Sequence, residues 1–182
     1  GFTNQALRPE GLWALLRPYL RSRSFLMVML LAMGLTIQRE TFDRWSVTFL
    51  QDVVGLGPAA AARTSAFFPF MGGLSALLFG FGADLVARRH RGLLVAGAQL
   101  LLAVTLVGVT YYDLDGRGDR ALVFLALVAL FLIGPYTFIS GVLAMDVGGR
   151  KGSSTAAGLA DGAGYAGSIM AGIGVAVLAQ RY

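Results

Sequence analysis

FLMVMLLAMGLTIQRETFDRWSVTFL, residues Phe25–Leu50, decides the fold. Its first thirteen residues, Phe25–Ile37, contain no charge, and its second half carries Arg39, Glu40, Asp43 and Arg44. A hydrocarbon core about 30 Å thick takes roughly 20 residues of helix to cross. The stretch meets that length, yet it places ionisable groups where lipid solvates nothing. An arginine at the bilayer centre costs about 2.5–3.5 kcal/mol on insertion scales, so such groups face a bundle interior or a water-filled cavity. This helix is therefore expected to belong to a membrane bundle with a polar site inside it.

The rest of the chain agrees. Of 182 residues, 56% are hydrophobic and 14% charged, against about 45–50% and 25% in soluble chains. Mean hydropathy is +0.68, which excludes a disordered segment and argues against a water-soluble fold. There is no cysteine, which removes disulfides, thiolate metal sites and thiol catalysis. The single histidine, His90, is too little for a zinc or haem centre, so no cofactor and no metal are expected.

Beyond Phe25–Leu50, four further stretches have spanning length: Thr64–Val86, Leu93–Tyr112, Ala121–Met145 and Ser154–Ala179. The fourth span contains Gly134-Pro135, where the missing backbone donor of proline predicts a kink. Residues 1–23 form a polar lead-in, in which LWALLRPYL is suited to lie along the interface. Residues 24–182 form the bundle. The expected fold is all-α and integral to the membrane, with five spans.

Basic residues set the orientation. Arg8, Arg17, Arg21, Arg23, Arg88, Arg89, Arg91, Arg150 and Lys151 fall on one side; Arg63, Arg117, Arg120 and Arg181 fall on the other, beside Asp52, Asp113, Asp115 and Asp119. The first side is expected to be cytoplasmic, and the net charge of +5 is read as topology and not as nucleic-acid binding. Five spans then leave the two ends on opposite sides. That odd number, and a start at Gly1, fit part of a larger protein.

Within QRETFDRW (Gln38–Trp45), helical spacing puts Arg39 with Asp43 and Glu40 with Arg44, each pair four residues apart. Either pair is a self-neutralising couple near an interface, or an arginine is the anchor of an anion, since guanidinium matches phosphate and carboxylate bidentately and stays charged. Counted from Phe25 at 1.5 Å per residue, Arg39 lies roughly 20 Å deep, which suits a central site.

The run RETFDRWSVTFL from Arg39 resembles helix seven of the organophosphate:phosphate antiporters, a family of the major facilitator superfamily. Gly80-x-x-x-Asp84 followed by Arg91-Gly92 is similar to the superfamily's motif between helices eight and nine. Gly134-Pro135 resembles the start of helix ten, and Ser154-Thr155-Ala156-Ala157-Gly158 with Gly164-Tyr165-x-Gly167 resembles helix eleven. The chain differs in having Arg44 before Trp45, where the compared member is acidic, and Asp161 where that member is uncharged. The resemblance implies the C-terminal six-helix bundle of a twelve-helix facilitator in the inner membrane, represented by helices seven to eleven and completed by an N-terminal half.

The implied activity is exchange of an organic phosphate, such as glycerol phosphate or sugar phosphate, for inorganic phosphate by alternating access. Enzymatic chemistry is not expected, since no nucleophile–base constellation is present. Arg39 would hold the phosphoryl oxygens, with Tyr165 and Asp161, four residues apart on one helix face, beside it. Asp161 is alternatively an ion-pair partner of a helix elsewhere. Gly80, Asp84, Arg88 and Arg91 are expected to form a loop latch, or else simple positive-inside anchoring. The glycines of that helix, Gly158, Gly162, Gly164, Gly167, Gly172 and Gly174, are expected to permit close backbone approach, and Gly158-x-x-x-Gly162 fits the small-x-x-x-small pattern that lets helices touch. A non-transporting sugar-phosphate receptor, or a structural membrane subunit, is the alternative from a different functional class.

The charge segregation yields a first prediction. Single cysteines at 89 and 115 in this cysteine-free background are treated with an impermeant thiol reagent in intact cells. Position 115 is expected to react and position 89 to be protected; the opposite pattern overturns the orientation.

Overall fold

In the computed structural model, residues 12–87, 90–111, 118–143, 146 and 153–179 are described, and every element among them is helical. They are α1 (Leu12–Arg21), α2 (Arg23–Asp52), α3 (Pro58–Ser65), α4 (Phe67–Leu85), α5 (Arg91–Val109), α6 (Gly118–Phe138), a π-helical turn (Ile139–Leu143) and α7 (Ser153–Ala179). Four stretches are long and apolar enough to cross a membrane: Arg23–Asp52, Pro58–Leu85, Arg91–Val109 and Gly118–Leu143. The chain is an all-α membrane protein. The fifth expected span is one continuous helix of 27 residues, about 40 Å long.

Local chemistry sets the helix limits. The Ser22 hydroxyl accepts from the Phe25 N–H at 3.3 Å and starts α2. At its other end Gly55 takes a left-handed φ of 72°, and the Leu56 N–H returns to the Leu50 carbonyl at 2.9 Å. Pro58 then opens α3 at a position where its missing N–H costs nothing. The expected connection Gln51–Arg63 is accordingly much shorter. Pro69, which can neither donate to the carbonyl of Ser65 nor clear it sterically, accounts for the break at Ala66 between α3 and α4. The charges at Arg8, Arg88, Arg89, Asp113, Asp115, Arg117, Arg150, Lys151 and Arg181 lie outside the described residues, as do residues 1–11 of the lead-in.

Packing is pairwise. α2 lies chiefly against α7, and α6 lies against α4 and α5. Phe42 of α2 joins the two groups, with ring centroids 6.1 Å from Phe68 of α4 and 6.4 Å from Phe124 of α6. Leu102, Leu125, Val128 and Leu132 are almost wholly buried, whereas Met27, Phe70, Phe81 and Leu93 stand outward. An apolar rim around an apolar core is what a bilayer solvates and water does not.

The expected disturbance at Gly134-Pro135 is present and is repaired by neighbours. The Gly134 N–H donates to the Ser75 hydroxyl at 2.9 Å, and that hydroxyl donates onward to the Leu130 carbonyl. A side chain of α4 thus sits inside a backbone bond of α6. Pro135 cannot serve the Phe131 carbonyl, and Gln99 of α5 donates its amide there at 3.5 Å. One turn on, the backbone widens into the π-helical turn, a form that often marks functional positions.

Gly134 has no room for a side chain: a Cβ there would run into the Phe79 ring and stand 2.6 Å from Ser75 Oγ. Between α2 and α7 the tight points are Gly164, whose Cβ would stand 2.8 Å from Thr36 Oγ1, and Gly167, whose Cβ would stand 2.6 Å from the Met33 carbonyl oxygen. Gly158 and Gly162, expected to make the close packing, have nothing within 4 Å; they turn away from the face of α7 that meets α2. Gly134→Ala and Gly167→Ala are therefore expected to destabilise the protein by about 1–3 kcal/mol, and Gly158→Ala to be neutral or slightly stabilising through helix propensity. Thermal melts of the purified variants in detergent distinguish the two groups.

Candidate functional site

α2 and α7 pack along one another: Thr36 lies beside Gly164, Met33 and Ile37 lie beside Gly167, and the Arg44 guanidinium reaches to within 3.9 Å of where a side chain on Gly172 would begin. Where the paired faces separate they leave a cavity of about 130 Å³. Its walls bring together Thr36, Arg39 and Glu40 of α2, Tyr136 of α6, and Asp161, Tyr165 and Ser168 of α7. The three residues expected from sequence to bind substrate, Arg39, Asp161 and Tyr165, thus line one cavity.

Arg39 is half-buried and turned inward. Its Nη1 donates to the Tyr136 hydroxyl at 3.2 Å, and its guanidinium carbon stands 4.9 Å from the centroid of the same ring. Such a face-on contact is attractive and leaves the in-plane donors other than the one given to the Tyr136 hydroxyl turned to the edge of the guanidinium. Tyr136 follows Pro135 directly, beside the backbone groups of α6 that Ser75 and Gln99 serve.

The expected couple between Arg39 and Asp43 is not formed. Asp43 is exposed, and Arg39 instead approaches Glu40 Oε1 at 3.7 Å. Inward rotation onto the tyrosine carries the guanidinium away from Asp43. The second expected couple is present: Nε and Nη2 of Arg44 both stand 3.1 Å from Glu40 Oε2.

Asp161 is exposed, and among the described residues it has no ion pair. Tyr165 is 73% exposed with its body along the cavity wall. Thr36 is buried, and its hydroxyl is engaged with the Ala32 carbonyl at 2.7 Å. The cavity is amphoteric: Arg39 brings a cation, Glu40 and Asp161 bring carboxylates, and Tyr136, Tyr165 and Ser168 bring hydroxyls.

The loop motif lies elsewhere. Gly80 and Asp84 are exposed on α4, and Arg88 is outside the described residues. Arg91 at the start of α5 donates Nε to the Ala83 carbonyl at 3.2 Å, near the end of α4, and its Nη1 meets Asp146 Oδ2 at 3.0 Å. That contact ties the α4–α5 turn to the segment after the π-helical turn.

A larger cleft of about 500 Å³ opens between α5 and α6, bordered by Thr105, Val109, Asp119, Arg120 and Phe124. Its lining is mainly apolar and includes no residue of α2 or α7. Size alone does not make it the better site.

Sequence reading missed Tyr136, Ser168 and Asp146. Tyr136 is 97 residues from Arg39 and Asp146 is 55 from Arg91, separations over which no local pattern operates. Glu40 was legible only as the partner of Arg44.

Fold and cavity define a helical membrane protein with an arginine-bearing site between spans. Among characterised proteins, the chain is similar to a "Probable hexose phosphate transport protein" of Chlamydia muridarum (strain MoPn / Nigg), 26% identical over 151 residues. The alignment covers 80% of this chain and 32% of that protein, so the chain spans about a third of the relative's length. No family model matches, and no solved structure matches.

Asp161, exposed at the cavity and with no ion pair among the described residues, carries little of the packing. Asp161→Asn is expected to leave the melting temperature of the purified protein within a degree or so, surface polar changes being nearly neutral. A variant that unfolds markedly more readily overturns this assignment.

Proposed function

We propose that the chain is part of a sugar-phosphate transporter of the major-facilitator kind, supplying helices seven to eleven of a twelve-helix protein in the inner membrane with its first residues cytoplasmic. In this reading the protein exchanges a sugar phosphate or another organic phosphate for inorganic phosphate by alternating access. The observation that carries it is Arg39: a guanidinium near the middle of a spanning helix, facing a cavity, with an aromatic ring and its hydroxyl as one partner and its carboxylate partner at long range.

Such a cation costs too much in lipid to be kept for packing alone, and a phosphoryl group matches its donor geometry. The likeness to a hexose phosphate transport protein supports the same substrate class. Tyr165 and Ser168 offer hydroxyls, and Asp161 offers an acceptor to the hydroxyls of a sugar. A second cation for the phosphate dianion would come from the other half of the transporter. The Arg91–Asp146 clasp would hold one of the two access states, with Gly80, Asp84 and Arg88 belonging to the same turn.

The test compares Arg39→Lys with Arg44→Lys in the protein encoded by the complete reading frame, purified and reconstituted in proteoliposomes. Lysine keeps the charge and loses the planar fork. Arg39→Lys is expected to lower exchange at least tenfold, the equivalent of about 1.4 kcal/mol, and Arg44→Lys to cause a smaller loss. Near-parental exchange by Arg39→Lys overturns the reading. Phosphate binding without uptake by the parent protein favours a receptor.

A further inference from the structure

Arg39, Glu40 and Arg44 form a chain of charges along one helix. Glu40 stands in the middle with its side chain 15% exposed, and its two oxygens are divided between the neighbours. Oε2 takes Nε and Nη2 of Arg44, both at 3.1 Å, while Oε1 is 3.7 Å from Nη1 of Arg39. Arg44 is itself 56% exposed, against 35% for Arg39. The carboxylate is thus bound firmly to the outer arginine and only loosely to the inner one.

The arrangement bears directly on anion binding. Glu40 and an incoming phosphate compete for the same guanidinium, and the two anions repel each other across a short distance in a medium of low dielectric. If Arg39 were the sole partner of Glu40, anion binding would strip a mostly buried carboxylate of its counter-charge, a costly state. With Arg44 bound to Oε2, Glu40 remains paired after Arg39 has turned to its ligand. Asp43, the other acid on this stretch, is exposed. Asp161 sits about three helical turns nearer the start of α7 than Gly172, the glycine of α7 nearest Arg44.

We propose that Arg44 is a positioning residue for the anion site: it draws the Glu40 carboxylate outward and so leaves the Arg39 guanidinium free for a phosphoryl group. Glu40 is then the built-in competitor of the substrate, and the strength of its hold on Arg44 sets the affinity for phosphate. The proposal rests on the reading of Arg39 as the anion anchor. It assigns a purpose to an exposed arginine whose pairing would otherwise be ordinary helix-surface electrostatics, worth little.

The experiment measures KM and turnover for inorganic phosphate and for hexose 6-phosphate in proteoliposomes of the protein from its complete reading frame. Arg44→Gln is expected to raise KM for both by about three- to thirty-fold, within the range for coupled neighbours, with a much smaller change in turnover. Arg44→Lys should raise it less. The double variant Glu40→Gln/Arg44→Gln should return KM to within about twofold of the parent, because the competitor has gone.

A parental KM in Arg44→Gln overturns the proposal, and so does a double variant as weak as the single one. Should Arg44→Gln fail to fold, Glu40→Gln alone decides: tighter phosphate binding is expected, and weaker binding overturns the proposal. Failure of the anchor reading is separate, since it shows as normal exchange by Arg39→Lys.

Discussion

A guanidinium in the hydrocarbon region must be answered by polar neighbours, and in this protein that requirement fixes how α2 is turned. Arg39 cannot face lipid without severe cost. It faces Tyr136 and a polar cavity, with Met27 and Leu30 among the outward residues of the same helix. The inward face then has to accommodate α7 closely enough to form the far wall. Thr36 and Met33 meet Gly164 and Gly167 with no space for a Cβ. Small residues at that contact are the means by which helices approach without a hydrophobic drive between them.

The second wall depends on a flaw in α6. Proline removes one backbone donor and deflects another, and in the membrane neither loss is made good by water. Ser75 and Gln99, from two different helices, supply the missing partners. The break is consequently a fixed joint between α4, α5 and α6, and Tyr136 projects from it toward Arg39. Movement at this joint would be felt at the guanidinium through one hydrogen bond and one ring face. The π-helical turn three residues on extends the irregularity toward Asp146 and its partner Arg91. Site and clasp therefore lie at the two ends of one irregular segment.

Charge balance in the cavity follows from the same geography. Two carboxylates, Glu40 and Asp161, border it with one arginine, and a third charged group, Arg44, stands outside and holds Glu40. Among the described residues the carboxylate nearest the inner arginine is Glu40, at 3.7 Å. Under the proposed reading, an anion entering the cavity would meet a cation whose neutralisation is incomplete.

The apolar runs by themselves determined that the chain is helical and membrane-embedded, because spanning length and the absence of charge are properties of consecutive residues. They also singled out Arg39, since an arginine inside such a run is conspicuous without any neighbour, and they located the disturbance at Pro135. Arg39, Asp161 and Tyr165 were each legible as candidates; that they share one cavity was not. Helix periodicity paired Arg39 with Asp43 and stopped there, because spacing along one helix is blind to a ring on another. Tyr136 across the bundle, Ser75 inside the α6 backbone, Asp146 opposite Arg91 and the choice of Gly164 and Gly167 over Gly158 and Gly162 were decided only by tertiary structure. Each depends on which faces of separate helices meet, and that is set by packing between residues tens of positions apart.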